Sequence, residues 1–261
     1  MNRHAEKRSP LKRSPLRSPG ESVHQERERL IEDEWIPYVF LAVMTVFVAV
    51  AEWLRWYTTI PPQPVALSVV ALLAVAFCTY KFFTVRKRNR ALRLGEDGEK
   101  VVGQSLEELR SRGYRVFHDI VADGFNIDHV VVSPRGIFVI ETKTYSKTKR
   151  GKGVVEFDGE RILVDGWEPE RDAVRQVRAF GAWLRERLVE STGRRFPIRC
   201  AVVFPGWFVE NRAKRPTDVW VLNPKGLPAF IEHEPIQLKP DDVALVADRI
   251  VQSIQAPRLC A

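Results

Sequence analysis

The sequence is poor in cysteine. Its three, Cys78, Cys200 and Cys260, are scattered over 261 residues. Their spacing suits neither a disulfide framework nor a cysteine-ligated metal site, and nothing in it points to an oxidising compartment. The chain also has no internal repeat. From Gly95 onward it lacks a charge excess, because 26 Lys and Arg face 25 Asp and Glu. The formal charge of +8 is therefore concentrated in the first part of the chain. There it surrounds two apolar segments, so the basic balance speaks for a membrane surface more than for a nucleic-acid groove.

Residues 1–34 read as a disordered basic tail. Three Arg-Ser-Pro triplets, at Arg8, Arg13 and Arg17, give it proline and charge but almost nothing to bury. Residues 35–83 then read as a transmembrane hairpin. The segments 35–56 and 65–83 have roughly the length a bilayer-spanning helix needs. Trp35, Tyr38, Trp53, Trp56 and Tyr57 sit near the ends of the first segment, where an interfacial aromatic belt belongs. Lys81, near the end of the second, can snorkel to the interface. The connection "TTIPPQP" is short, and Arg55 is the one basic residue beside it, whereas "VRKRNRALR" follows the second segment. This asymmetry predicts a multi-pass protein of the inner or plasma membrane with both termini cytoplasmic. A cleaved signal peptide ending at Ala49-Val50-Ala51 is the competing reading. Glu32-Asp33-Glu34 argues against it, because positive charge is expected there.

Residues 84–94 read as a basic juxtamembrane linker, 95–205 as a soluble α/β domain, and 206–261 as a C-terminal extension. "GEDGEKVVGQSLEELRSRG" predicts a helix with Val102, Leu106 and Leu109 on one stripe, stopped by Gly113. Residues 114–120, 126–133, 137–143 and 198–205 predict strands, and "VVEFDGERILVD" predicts a hairpin turning at Asp158-Gly159. An amphipathic helix over 170–190 carries Val174, Val177, Phe180 and Leu184. A closing helix covers 240–255.

The chemistry concentrates around "NIDHVVVSPRGIFVIETK". Pro134 and Arg135 suit a two-residue turn, so Ser133 faces Gly136, and counting outward sets Asp128 opposite Glu141. Alternation puts Lys143 on the face of Glu141. Two neighbouring carboxylates repel unless a positive group lies between them. One solution is a hard divalent cation, Mg²⁺ or Mn²⁺. The other is a cross-strand salt bridge through Lys143. His129 should point to the opposite face from Asp128 and be structural. His118 and His233 have no partner that can be placed. Lys147, Lys149, Arg150 and Lys152 follow the strand, either as a solvated loop or as a phosphate-contacting cluster.

"GEDGEKVV", "NIDHVVVSPRGIFVIETK" and "RDAVRQVRAF" occur in that order. Over roughly residues 92–205 the chain thus resembles the nuclease-related domain (NERD) family, a branch of the PD-(D/E)XK phosphodiesterases. The resemblance implies a restriction-endonuclease-like mixed α/β sheet flanked by helices. It implies Asp128, Glu141, the Thr142 carbonyl and Glu99 as metal ligands, Lys143 as the catalytic lysine, and Gln176 as its polar neighbour. Glu96 is an alternative to Glu99. Phe180 stands where exonuclease relatives carry Tyr, so the hydroxyl of that motif is missing. The expected activity is Mg²⁺- or Mn²⁺-dependent hydrolysis of DNA, with RNA as the alternative substrate. The competing expectation is a tethered module that binds nucleic acid or protein without cutting.

Overall fold

The computed structural model describes residues 18–58, 64–122, 124–147 and 151–255. The described chain divides into two units, Glu21–Glu96 and a C-terminal unit from Asp97 onward that also takes in Ser18–Gly20.

In the first unit, α1 (Glu21–Arg29) passes through a π-helical stretch (Leu30–Trp35) into α2 (Ile36–Tyr57). Pro37 has no N–H to donate to the preceding turn, and the helical ladder is re-registered immediately before it. Residues 18–34 therefore correct the expectation of a disordered tail, since helix covers Glu21–Trp35; residues 1–17 lie outside the described residues. The long helix α3 (Pro64–Ser111) returns along α2. Trp35 stacks on Phe82 at 5.0 Å, and Trp53 Nε1 donates to Ser68 Oγ at 3.2 Å. The stretches Glu21–Tyr57 and Val65–Ser111 each contain a segment long and apolar enough to cross a membrane, by length and composition alone.

The expected linker at 84–94 is also helical, because α3 runs through it without a break. It contains neither Gly nor Pro before Gly95, and ion pairs hold it against α1. Arg88 pairs with Glu26 at 3.1 Å, while Glu96 accepts from His24 and Arg27 at 3.1 and 3.0 Å.

The C-terminal unit is a mixed α/β fold. Its main sheet has the order β1 (Arg115–Val121), β2 (Asn126–Ser133), β3 (Gly136–Thr142), β6 (Ile198–Val203), β8 (Val219–Leu222). The first three strands are antiparallel neighbours, and β6 and β8 run parallel to β3. A smaller sheet joins β5 (Ile162–Val164), β4 (Val154–Phe157) and β7 (Phe208–Asn211). One core packs α4 (Ala173–Thr192) and α6 (Pro240–Gln255) on the main sheet through Val174, Val177, Leu184, Val246 and Ile250. The opposite core uses Val102, Leu106 and Leu109 of α3 with Leu227 and Ile231 of α5 (Leu227–His233). Strands β2 and β3 are buried on both faces, which is why their sequences read as nearly continuous β-branched runs.

Residues 206–255 are not an appendage. Strand β8 extends the main sheet, and Val219, Val221 and Val246 belong to its core. The sequence boundary at 205 falls inside one hydrophobic core.

Candidate functional site

The turn Pro134-Arg135 closes β2 onto β3 with Ser133 paired to Gly136, and the register runs back to His129 opposite Ile140. One step further, Asp128 and Glu141 lie near enough for the charge of Glu141 to act on Asp128. Backbone pairing ends there, and Asp128 Oδ2 instead accepts the Thr142 N–H at 2.7 Å. This bond ties the end of β3 to β2 and holds Asp128 at the sheet's end.

On β3, Glu141 is only 3% exposed. Its Oε1 accepts from Lys143 Nζ at 2.6 Å, and its Oε2 is buried without a hydrogen-bond partner among the described residues. Lys143 Nζ also donates to Gln176 Oε1 at 2.9 Å. Gln176 is delivered by the first turn of α4, whose N-cap Asp172 accepts the Arg175 N–H at 2.9 Å. The ammonium is thus held between β3 and α4.

Glu99 arrives from α3. Its carboxyl is pushed up to about 7, first by burial and then by the charges of Asp119 and Glu141. The Gly20 backbone N–H bonds to it and opposes that rise. Asp128 is raised well above the ordinary range by burial and by the negative charges of Glu141 and Glu99. Glu141 is raised by burial, against the pull of Lys143. Three carboxyl groups therefore share a poorly solvated pocket with one ammonium, and each resists ionisation there.

Asp119 is the residue that sequence reasoning missed. It is 1% exposed and sits at φ 48°, a left-handed backbone that Asp tolerates better than most residues. It lies on β1, between His118 (paired to His129) and Ile120 (paired to Ile127). Phe117 and Ile120, three apart, both face the same core, so the strand changes phase at Asp119.

The remaining candidates separate from the site. Glu96 is engaged with His24 and Arg27, which removes it as a substitute for Glu99. His129 is fully buried, with its Nδ1 2.9 Å from His118 Nδ1, and His118 Nε2 lies 3.0 Å from Glu107 Oε1. Burial lowers the pKa of both rings. They form a structural pair behind the sheet, which gives His118 the partner it lacked in the sequence. His233 Nδ1 donates to the Ala229 carbonyl at 2.6 Å. Phe180 is a core residue stacked on Phe125 at 4.8 Å. Lys147 and Lys152 are exposed, whereas Lys149 and Arg150 lie outside the described residues.

Residues 94–205 match the family model of the nuclease-related domain, NERD. Over this stretch the chain is similar to that domain. Over 56 residues, 20% of this chain, the sequence is 39% identical to an uncharacterized protein of Bacillus anthracis, and the match spans 26% of that protein. No solved structure matches. The mixed five-stranded sheet with its flanking helices agrees with the PD-(D/E)XK-like fold of the nuclease-related domain.

Among the described residues, no three His, Cys, Asp or Glu side chains converge in an arrangement that would hold a metal ion by themselves. The donor chemistry of the nuclease-related domain nevertheless fits a hard cation that keeps most of its waters. Its available groups are all oxygen, and the buried Oε2 of Glu141 has no partner. A cation beside Asp128 and Glu141 would also relieve the repulsion that keeps their pKa values high.

Proposed function

We propose that this protein is a membrane-anchored, divalent-cation-dependent nuclease that hydrolyses phosphodiester bonds of DNA, RNA being the alternative substrate. The anchor is the α2–α3 hairpin, with both termini cytoplasmic in the inner or plasma membrane. The observation that carries the reading is the Lys143 ammonium held between Glu141 and Gln176 beside the partnerless Oε2 of Glu141.

Asp128, Glu141 and the Thr142 carbonyl are the groups that would hold Mg²⁺ or Mn²⁺, with Glu99 in support. The bound cation would supply acidified water and counter-charge for the phosphate. Asp128 is oriented by the Thr142 N–H, which binds one of its two oxygens. Lys143 orients the attacking water or stabilises the charge growing on the phosphate oxygens. Gln176 is a positioning residue, because it acts through the lysine. Lys147, Lys149, Arg150 and Lys152 contact the phosphate backbone, which needs charge but no sequence code.

The test is a cleavage time course on the full chain in nonionic detergent. Plasmid, linear duplex and single-stranded substrates are each incubated with Mg²⁺, Mn²⁺ or EDTA. Lys143→Ala should cut at least about a hundredfold more slowly, as expected for loss of one preorganised group, while binding stays near wild type. If the wild type binds nucleic acid but cuts nothing with either cation, the enzyme reading fails. A tethered, non-cutting binding module then takes its place.

A further inference from the structure

A cleft of about 820 Å³ opens beside the segment that leaves β3, within the size range of ligand sites. Its lining includes Lys147, Lys152 and Lys225 but no Asp or Glu. None of these lysines has a carboxylate partner among the described residues. Lys147 Nζ instead lies 5.4 Å from the centre of the Trp207 ring. Gly153 makes room for it, because a Cβ there would come within 3.0 Å of the ammonium. Two aromatic rings stand open in the same cleft, Phe208 at 65% and Phe230 at 47% exposure. Phe208 opens the short strand β7 and is fixed by its backbone N–H to the Gly153 carbonyl at 3.1 Å. Phe230 has its edge-to-face partner in Trp220 at 5.5 Å.

The cleft adjoins the segment that carries the site. Thr144, next to Lys143, presses on α3 at Gly98, where an added Cβ would overlap its methyl group. One turn and two turns further along α3, Val101 and Ser105 form the cleft wall. Lys143 and Lys147 are four residues apart, so the backbone separating them spans at most about 14 Å.

We infer that this cleft is a track for an unpaired nucleic-acid strand, with Phe208 and Phe230 stacking bases and Lys147, Lys152 and Lys225 holding phosphates. The inference rests on the nuclease reading only for what happens next, since the strand would lead into the Asp128–Glu141–Lys143 site. An exposed ring set among unpaired lysines is suited to bases that have left a duplex, because every base offers a π-face. In a duplex those faces are already stacked.

The experiment measures binding in EDTA, so its outcome does not depend on cutting. A fluorescently labelled 12-nucleotide oligothymidine and a 12-base-pair duplex are titrated with the full chain in nonionic detergent, and anisotropy is followed. The wild type should bind the single strand more tightly. Phe208→Leu should weaken single-strand binding about tenfold, as expected for one lost base stack, and Phe208→Tyr should restore it. Ile236→Ala, a change at an exposed apolar residue outside the cleft lining, should have no effect. The Lys147→Gln, Lys152→Gln, Lys225→Gln triple variant should flatten the salt dependence by about two in log–log slope, from roughly 0.7 per phosphate contact. Equal or tighter binding of the duplex overturns the inference. So does an unchanged affinity in Phe208→Leu. Strong single-strand binding without hydrolysis under Mg²⁺ or Mn²⁺ supports the track and refutes the nuclease reading; hydrolysis with an inert Phe208 does the reverse.

Discussion

Glu99→Gln tests the crowding of carboxylates in the pocket. In the folded protein Glu99 is raised from the ordinary value of 4.5 to about 7, with burial the leading cause. For an acid raised by folding, the folded state keeps a proton that the unfolded chain has released. Stability is then highest below pH 4.5 and falls as pH rises toward 7. At about 1.4 kcal/mol per pH unit this window amounts to ~3 kcal/mol. The side chain retains some exposure, so screening by solvent reduces the figure to about 2 kcal/mol. Gln cannot ionise, but its amide oxygen still accepts the Gly20 N–H. In EDTA at pH 8 the variant's C-terminal unit should therefore melt about 4–8 °C above wild type, at 2–4 °C per kcal/mol for a domain of this size. At pH 5, just above the ordinary value, the gap should shrink to roughly a quarter of that. The assay is tryptophan-fluorescence melting of the full chain in detergent at both pH values. An equal gain at both pH values would assign the effect to packing rather than charge, and a loss at pH 8 would refute the electrostatic account. Under the proposed function, Mn²⁺ at pH 8 should raise the wild-type melting temperature more than that of Glu99→Gln.

Three further outcomes are expected. Asp128→Ala should weaken Mn²⁺ binding measured by calorimetry, because it removes a hard ligand; unchanged affinity would return Glu141 and Lys143 to a purely structural ion pair. A reporter placed after Arg93 should lie on the cytoplasmic side and one inserted near Gln63 outside, since the connection is poor in Lys and Arg; an external signal at Arg93 would sink the hairpin topology. Gly98→Ala should destabilise the C-terminal unit by about 1–3 kcal/mol in denaturant titration, because its Cβ overlaps Thr144.

Much of the fold was legible because its strands are doubly buried. Runs such as Val130-Val131-Val132 and Ile137 to Ile140 have no competing helical period, and the Pro134-Arg135 turn sets their register by counting. That register brought Asp128 near Glu141, and the family resemblance supplied Gln176, which α4 delivers to Lys143. Two features resisted. The basic stretch 84–94 was taken for a linker because charge without an apolar stripe says little about helix in isolation. Its helicity comes from continuity with α3 and from partners 62 residues or more away in sequence, such as Glu26 for Arg88. Likewise nothing local in Val219–Leu222 showed that it would join β6.

Asp119 is the more instructive miss, because the sequence did hold a signal. In "RVFHDIV" the apolar residues fall at 116, 117, 120 and 121, which no strand of strict period two can bury on one face. The polar pair His118-Asp119 marks the break. A residue that tolerates positive φ, placed at a break in alternation, implies a kinked strand with a re-aimed side chain. Here the re-aimed group is a carboxylate, and its charge adds to the electrostatic load on Glu99. The strained backbone of β1 thus places a charge that adds to the burial already raising Glu99. Changing Asp119 should alter the titration of Glu99 without replacing any of the groups proposed to hold the cation.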